Sequence, residues 1–143
     1  MNKVYTIGYE GKDIDEFLEL LRKKGVQHLV DVRSYPTSRR EKFDKENLKD
    51  RLFHESILYK HIPEMGGLRD EDYEEVMEEE DWKDGFEELK EIASEGKTVL
   101  MCLEKDPMRC HRRFIAERLE EEGWEVVHIG RGGSWKEKSL DDF

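Results

Sequence analysis

Short apolar runs alternate with amphipathic segments along the chain. Five runs are rich in Val, Ile, Leu and Tyr and short enough to be strands: Lys3–Gly8, Gln27–Val32, Ile57–Ile62, Thr98–Leu103 and Glu125–Ile129. Between them, apolar residues recur at helical spacing, as in Ile14, Phe17, Leu18 and Leu21. The pattern predicts helices between Asp13 and Gly25, from Asp44 to Leu52, near Glu71–Glu79, over Lys83–Ser94 and over Cys110–Glu122.

This alternation favours an α/β fold, a three-layer sandwich with a mostly parallel, roughly five-stranded sheet and helices on both faces. Right-handed crossovers place every strand exit on one edge of the sheet. Ligands of such sheets bind beside the carboxyl ends of the strands. We expect a single domain over residues 1–130 and a C-terminal tail over 131–143, which is rich in Gly and Lys.

Charge is abundant but unevenly distributed. Charged residues make up 43% of the chain and amides are scarce, a composition typical of hyperthermophiles. The formal net charge is −11, yet Asp70 to Glu95 holds fourteen acids and two lysines, a balance of −12, so the rest sums to +1. The acidity therefore indicates solvated helix faces. No stretch approaches the roughly 20 apolar residues of a membrane span, and no secretory signal is present. We expect a soluble, cytoplasmic protein without a membrane partner.

Arginine is concentrated where the strands end. Eight of the eleven arginines lie in or just after strand exits. The candidate anion-binding residues are Arg33, Arg39, Arg40, Arg109 and Arg112, with Tyr9, Asp31, Ser34 and Glu64 as supporting residues. The planar guanidinium binds phosphate, sulfate or carboxylate through paired hydrogen bonds, so a small anionic ligand is expected. Alternatively, these arginines pair with nearby acids; Asp31, for example, either orients a substrate or locks a loop through Arg33.

Both cysteines fall in the segment TVLMCLEKDPMRCHRR at Thr98–Arg113. Cys110 lies near a predicted helix N-terminus, beside His111 and arginines, which are surroundings that lower a thiol pKa. Lowering that pKa by two units requires about 2.7 kcal/mol. A helix end supplies roughly 0.3–1 kcal/mol, so a cationic neighbour must supply the rest. The catalytic candidates are Cys110, Cys102, His111 and Glu104, which suit a thiol-dependent transferase or hydrolase if the protein is an enzyme.

The same residues also suit structural roles. Asp106-Pro107 resembles a helix N-cap followed by proline, which would place Cys110 one turn inside the helix as a core residue. Cys102 ends a buried strand, where cysteine is commonly a packing residue. A disulfide between the two is geometrically possible. Together with His111 and Glu104 they also form a conceivable metal-ligand set, but the short Cys-x-x-Cys pairs of structural zinc are absent. The sequence therefore predicts no metal and no cofactor.

Nucleic-acid binding is the competing function. Arg39, Arg40 and Lys42, with Phe43 and Tyr35 nearby, suit phosphate contacts and base stacking. The chain is acidic, with a pI near 5.0, and so lacks the usual electrostatic footprint of a nucleic-acid-binding protein. The sequence favours the small anionic ligand and keeps a non-catalytic nucleic-acid or protein-interaction module as the alternative.

Several blocks of the sequence, between Thr6 and Ile129, resemble domain-of-unknown-function family 488. They are TIGYEG at Thr6–Gly11, DVRSYPTSRR at Asp31–Arg40, YKHIPEMGG at Tyr59–Gly67, CLEKDPMRCHR at Cys102–Arg112 and VVHI at Val126–Ile129. The block from Cys102 is the most specific, whereas Tyr9-Glu10 stands where many members have His-Ser. The resemblance implies a compact α/β domain and brings no established reaction. Two blocks also look distantly like rhodanese sulfurtransferases, at the level of the fold only.

Overall fold

The computed structural model describes residues 2–67, 72–130 and 137–138, which contain a six-stranded sheet. Its strands are β1 (Lys3–Gly8), β2 (His28–Asp31), β3 (Leu58–His61), β4 (Thr98–Cys102), β5 (Glu125–Ile129) and β6 (Glu137–Lys138). They follow the order β3-β2-β4-β1-β5-β6, in which β1 to β5 are parallel and β6 is antiparallel to β5. The predicted α/β fold with five parallel strands is confirmed. Most of the predicted tail, 131–143, lies outside the described residues.

The helices within the described residues are α1 (Ile14–Lys24), α2 (Lys45–His54), α3 (Tyr73–Val76), α4 (Glu80–Glu95) and α5 (Arg112–Glu121). Short 3₁₀ turns cover Glu41–Phe43, Pro63–Met65 and Pro107–Arg109. The ends of α1 are those that the sequence predicts: the Asp13 carboxylate accepts a hydrogen bond from the Glu16 N–H, and Gly25 ends the helix in the left-handed conformation at φ 69°. None of these helices is long and apolar enough to cross a membrane.

Two helices differ from their predicted bounds. The helix expected near Glu71–Glu79 is reduced to the single turn α3, because Glu79 adopts an extended backbone immediately before α4. The helix expected from Cys110 begins at Arg112, because Pro107 opens a separate 3₁₀ turn. Cys110 therefore lies just before α5 and not one turn inside it.

Helices cover both faces of the sheet. Along β4, Leu100 and Cys102 pack into the apolar layer that contains α4 and α5, whereas Val99 and Met101 pack into the layer with α1 and α2. This alternation is the two-residue period of a strand that is buried on both sides. It directs the Cys102 side chain towards α5.

The connections around β1 and β4 create a crevice. These strands are neighbours, but the chain leaves β1 for α1 on one face and β4 for α5 on the other. Such a divergence opens the carboxyl edge of a parallel sheet for ligands. The Tyr9 N–H donates to the Cys102 carbonyl at 3.1 Å, and the Glu10 N–H donates to the Leu103 carbonyl at 2.8 Å. The two strand exits are therefore held side by side.

Candidate functional site

A cavity of about 410 Å³ opens at the carboxyl ends of β1, β2 and β4. The predicted site residues that line it are Cys102, Glu104, His111, Arg33, Arg109, Tyr9 and Ser34. Six further predicted site residues are not among its lining residues: Cys110, Arg39, Arg40, Arg112, Asp31 and Glu64. Segments that are far apart in sequence thus meet here, because parallel crossovers bring their strand exits to one edge.

Four other residues also line the cavity, namely Tyr35, Thr37, Gly67 and Leu103. Of these, the sequence singled out only Tyr35, for base stacking in the nucleic-acid alternative. Tyr35 and Thr37 belong to the block Asp31–Arg40, so the position of that block after β2 was a usable signal. Gly67 comes from the other side of the cavity and packs on the His111 ring: a Cβ atom at this position would lie 2.6 Å from His111 Nδ1. No local pattern in the sequence reveals that contact.

Cys102, which lines the cavity, is paired as a disulfide with Cys110, which does not line it. Cys102, at the end of β4, is 1% exposed and Cys110, before α5, is 6% exposed. The Cys110 Sγ also lies 3.5 Å from the Arg112 backbone N–H, which donates to it. Arg112 is the first residue of α5, so this donor belongs to the positive end of a helix. The loop between β4 and α5 therefore folds back and brings both sulfur atoms together.

His111 lies beside this pair in a defined orientation. Its Nε2 is 2.8 Å from the Val32 carbonyl and therefore carries the proton as donor, which leaves the Nδ1 lone pair 3.6 Å from Cys110 Sγ. Burial lowers the pKa of His111 to about 4; the positive charge of Arg112 also lowers it, and the Val32 hydrogen bond opposes the shift. The imidazole is thus neutral at pH 7 and presents an acceptor to the cysteine.

Arg33 is held by a buried acid. Its Nε and Nη2 atoms donate to the two Asp31 carboxylate oxygens at 2.9 and 2.8 Å, and Nη1 donates to the Phe43 carbonyl at 2.9 Å. Tyr59 completes the group by donating its hydroxyl to Asp31 at 2.5 Å. Burial lowers the pKa of Arg33, but its hydrogen bonds and attraction to Asp31 outweigh burial, and the net direction is upward. Arg33 reaches the cavity as one half of a neutralised pair.

Arg112 points into the protein and holds the β4–α5 loop. Its guanidinium is fully buried and donates to the Thr6 hydroxyl at 3.0 Å and to the carbonyls of Glu104 and Lys105 at 2.7 and 3.2 Å. Burial lowers its pKa to about 10, and attraction to Glu104 and Asp106 opposes this shift. Among the described residues, no carboxylate forms an ion pair with Arg112. The fold therefore places a buried positive charge against the backbone of the loop that joins the two cysteines.

The remaining candidate arginines differ in their availability. Arg109 lines the cavity with a side chain that is 84% exposed, and its Nε lies 3.9 Å from an Asp106 carboxylate oxygen. Such an exposed ion pair is weak, so the side chain can reorient towards a ligand. The Arg40 guanidinium donates to the backbone carbonyls of Tyr9 and Lys12, and Arg39 is exposed outside the cavity. Phe43 is 1% exposed and stacks on Tyr9. A buried ring cannot stack on a base, so the nucleic-acid alternative keeps only Tyr35 of its two aromatic residues.

A family model described as "Domain of unknown function DUF488" matches residues 13–72 and 69–119. Comparison with curated proteins gives no match, and comparison with solved structures gives none either. The two matched segments contain β2, the block that follows it, β4, both cysteines and most of α5. The residues that build the cavity therefore fall almost entirely within the matched part of the chain.

Proposed function

Because the chain belongs to the DUF488 family, whose description names no activity, we propose a function from the site itself: the protein binds a small anionic or phosphate-bearing ligand in the cavity and acts on it through a cysteine thiolate. The observation that carries the proposal is the position of Cys102. It lines a cavity that Arg33, Arg109 and His111 also line, and its disulfide partner Cys110 lies with its Sγ 3.6 Å from His111 Nδ1.

The active form has two thiols. A thiol reductant opens the disulfide by supplying two electrons and two protons, and the pair then releases one proton to become a thiol and a thiolate. Two features stabilise the negative charge: the Arg112 N–H that donates to Cys110 Sγ and the positive Arg112 guanidinium behind the loop. Because the two sulfurs are adjacent, they titrate as a coupled pair. Cys102 is the member that contacts the ligand.

His111 assists the removal of this proton. Moving a proton from a thiol with a pKa near 8.5 to an imidazole with a pKa of about 4 costs roughly 6 kcal/mol. The resulting thiolate and imidazolium, 3.6 Å apart, attract each other by about 4–5 kcal/mol at an effective dielectric constant of about 20. The attraction recovers most of the cost, so His111 suits a transient base role better than that of a permanent partner.

Ligand binding and reaction follow from the same geometry. Arg109 closes on the anion from the solvent side, and Arg33, already oriented by Asp31, borders the cavity. The Cys110 thiolate accepts the Cys102 proton as the Cys102 sulfur attacks the electrophilic atom of the ligand. The new sulfur bond forms as the bond to the leaving group breaks, and the leaving group departs with that electron pair and takes up the proton from Cys110. Water or an acceptor then releases the group from sulfur and restores the thiolate.

The test is alkylation of the reduced protein by iodoacetamide across a range of pH, with a metal chelator present. We expect one thiol to react with an apparent pKa at least about one unit below the free value near 8.5. Inorganic phosphate should slow this reaction, and Arg109→Gln should weaken the protection. The matched control is Arg51→Gln, which removes a half-exposed arginine of α2 that does not line the cavity. Two thiols of ordinary pKa, or thiols that react only after unfolding, contradict the proposal.

A further inference from the structure

One cluster at the cavity has a donor set that the proposed thiol chemistry does not explain. The Sγ atoms of Cys102 and Cys110 and a carboxylate oxygen of Glu104 all lie within 4.8 Å of one another. We propose that, in the dithiol form, these three residues bind a thiophilic divalent cation of the zinc class. This inference goes beyond the proposed function, because a thiolate that binds the cation is no longer free to attack a ligand.

The donor types favour such a cation. Thiolates select zinc-class ions over magnesium and calcium, and a carboxylate commonly completes a zinc site. Cys102 and Glu104 also line the cavity. A cation held by three protein ligands would keep a fourth position open towards the cavity, as metal sites that bind an exchangeable ligand do.

The backbone spacing supports a shared ion. The Cα atoms of Cys102 and Cys110 are 7.6 Å apart, whereas most disulfides span roughly 4.4–6.8 Å between Cα atoms. The wider spacing suits two sulfurs that bind one atom between them. The fold therefore accommodates a bridging cation without bringing the strand end and the helix start closer together.

Charge balance gives Arg112 a role in the same site. Two thiolates and one carboxylate carry a charge of −3, a divalent cation supplies +2, and the buried Arg112 guanidinium supplies the remaining +1. Arg112 also donates to the Glu104 carbonyl at 2.7 Å and, through its backbone N–H, to Cys110 Sγ at 3.5 Å. Partners of this kind position the ligands of metal sites. The thiol–thiolate pair releases its one remaining proton as the cation binds, so that both sulfurs bind as thiolates.

The test uses the full chain, reduced with a phosphine and freed of the reductant under anaerobic conditions. Titration with Co²⁺ should give one equivalent of binding, a thiolate-to-cobalt charge-transfer band and the strong visible bands of four-coordinate cobalt. Zn²⁺ should displace the cobalt. Cys102→Ser and Cys110→Ser should remove the charge-transfer band or halve it, and Glu104→Gln should weaken binding at least about tenfold. Glu117→Gln, at an exposed carboxylate on α5, should leave binding unchanged.

Absence of the charge-transfer band in the reduced protein overturns the inference, as does a Glu104→Gln variant that binds cobalt like the original chain. If the serine variants do not fold, alkylation of the original chain decides: Zn²⁺ should protect both thiols from iodoacetamide, and unchanged alkylation rates refute the site. The thiolate pKa and the protection by phosphate are measured with chelator present. The cation site and the proposed thiol function therefore fail or succeed separately.

Discussion

Replacing Asp31 with Asn tests the buried ion pair that borders the cavity. The Asp31 carboxylate is fully buried and accepts from Arg33 Nε at 2.9 Å, from Arg33 Nη2 at 2.8 Å and from the Tyr59 hydroxyl at 2.5 Å. Asn has nearly the same size, but it carries no charge, and its NH₂ group cannot accept from a guanidinium. The substitution therefore leaves the Arg33 charge buried without a counter-ion.

The expected loss is large for a single residue. Removing one partner of a buried pair costs about 3–5 kcal/mol, compared with a total unfolding free energy of about 5–15 kcal/mol for most domains. At about 2–4 °C per kcal/mol for a chain of this size, the melting temperature should fall by about 6–20 °C. The control is Asp15→Asn, whose carboxylate is 83% exposed in its pair with Arg51. An exposed pair contributes about 0–1 kcal/mol.

Urea unfolding followed by circular dichroism measures both free energies, and a double-mutant cycle identifies their origin. Arg33→Met removes the stranded charge while keeping much of the side-chain volume, so the double variant Asp31→Asn/Arg33→Met should be clearly more stable than the sum of the single losses indicates. A loss below about 1 kcal/mol for Asp31→Asn, or strict additivity in the cycle, would refute the reasoning.

Two further predictions concern packing and pH. Gly8→Ala should destabilise the fold by about 1–3 kcal/mol, because its Cβ would collide with the backbone carbonyl of Glu104. A loss below about 0.5 kcal/mol in urea unfolding would contradict this. His111 and His128 both have pKa values lowered to about 4 by burial, so the unfolded state binds more protons between pH 6.5 and 4. The free energy of unfolding therefore has its full value above pH 6.5 and is lower by about 2 kcal/mol per histidine at pH 5. A His128→Asn variant whose free energy of unfolding falls as much between pH 7 and 5 as that of the original chain would contradict this.

The spacing of apolar residues predicted the strands and helices well, because the residues that face the core recur with the period of the strand or helix that carries them. The strands were located within a few residues, and α1 begins and ends at its predicted cap residues. The pattern made the helix near Glu71–Glu79 too long, since among the residues described there only Tyr73–Val76 is helical. There, acidic residues on a solvated face give no strong periodicity, and Tyr73 is fixed by tertiary contacts: its hydroxyl donates to the Met65 carbonyl and accepts from Trp82 Nε1.

The sequence predicted at which edge of the sheet the candidate site lies, but not in which direction its side chains point. Strand exits meet at one edge whenever the sheet is parallel, which is why Tyr9, Arg33, Cys102 and Glu104 reach a common cavity. The direction of an arginine after a strand depends on which acceptors surround it. Arg112 turns inward to the Thr6 hydroxyl and to loop carbonyls, whereas Arg109 stays in solvent. Both arginines follow β4 in the same short segment, so the sequence around them does not distinguish the two directions.

By itself, the sequence determined most of the strands and helices, that the five predicted strands run parallel, and at which edge of the sheet the cavity lies. These features depend on periodicity and on connection rules that act over short stretches of chain. Only the tertiary structure decided the strand order, the pairing of Cys102 with Cys110, and which guanidiniums are neutralised, buried or exposed. Those outcomes depend on contacts between residues distant in sequence, such as Arg112 with Thr6, and no local pattern encodes them.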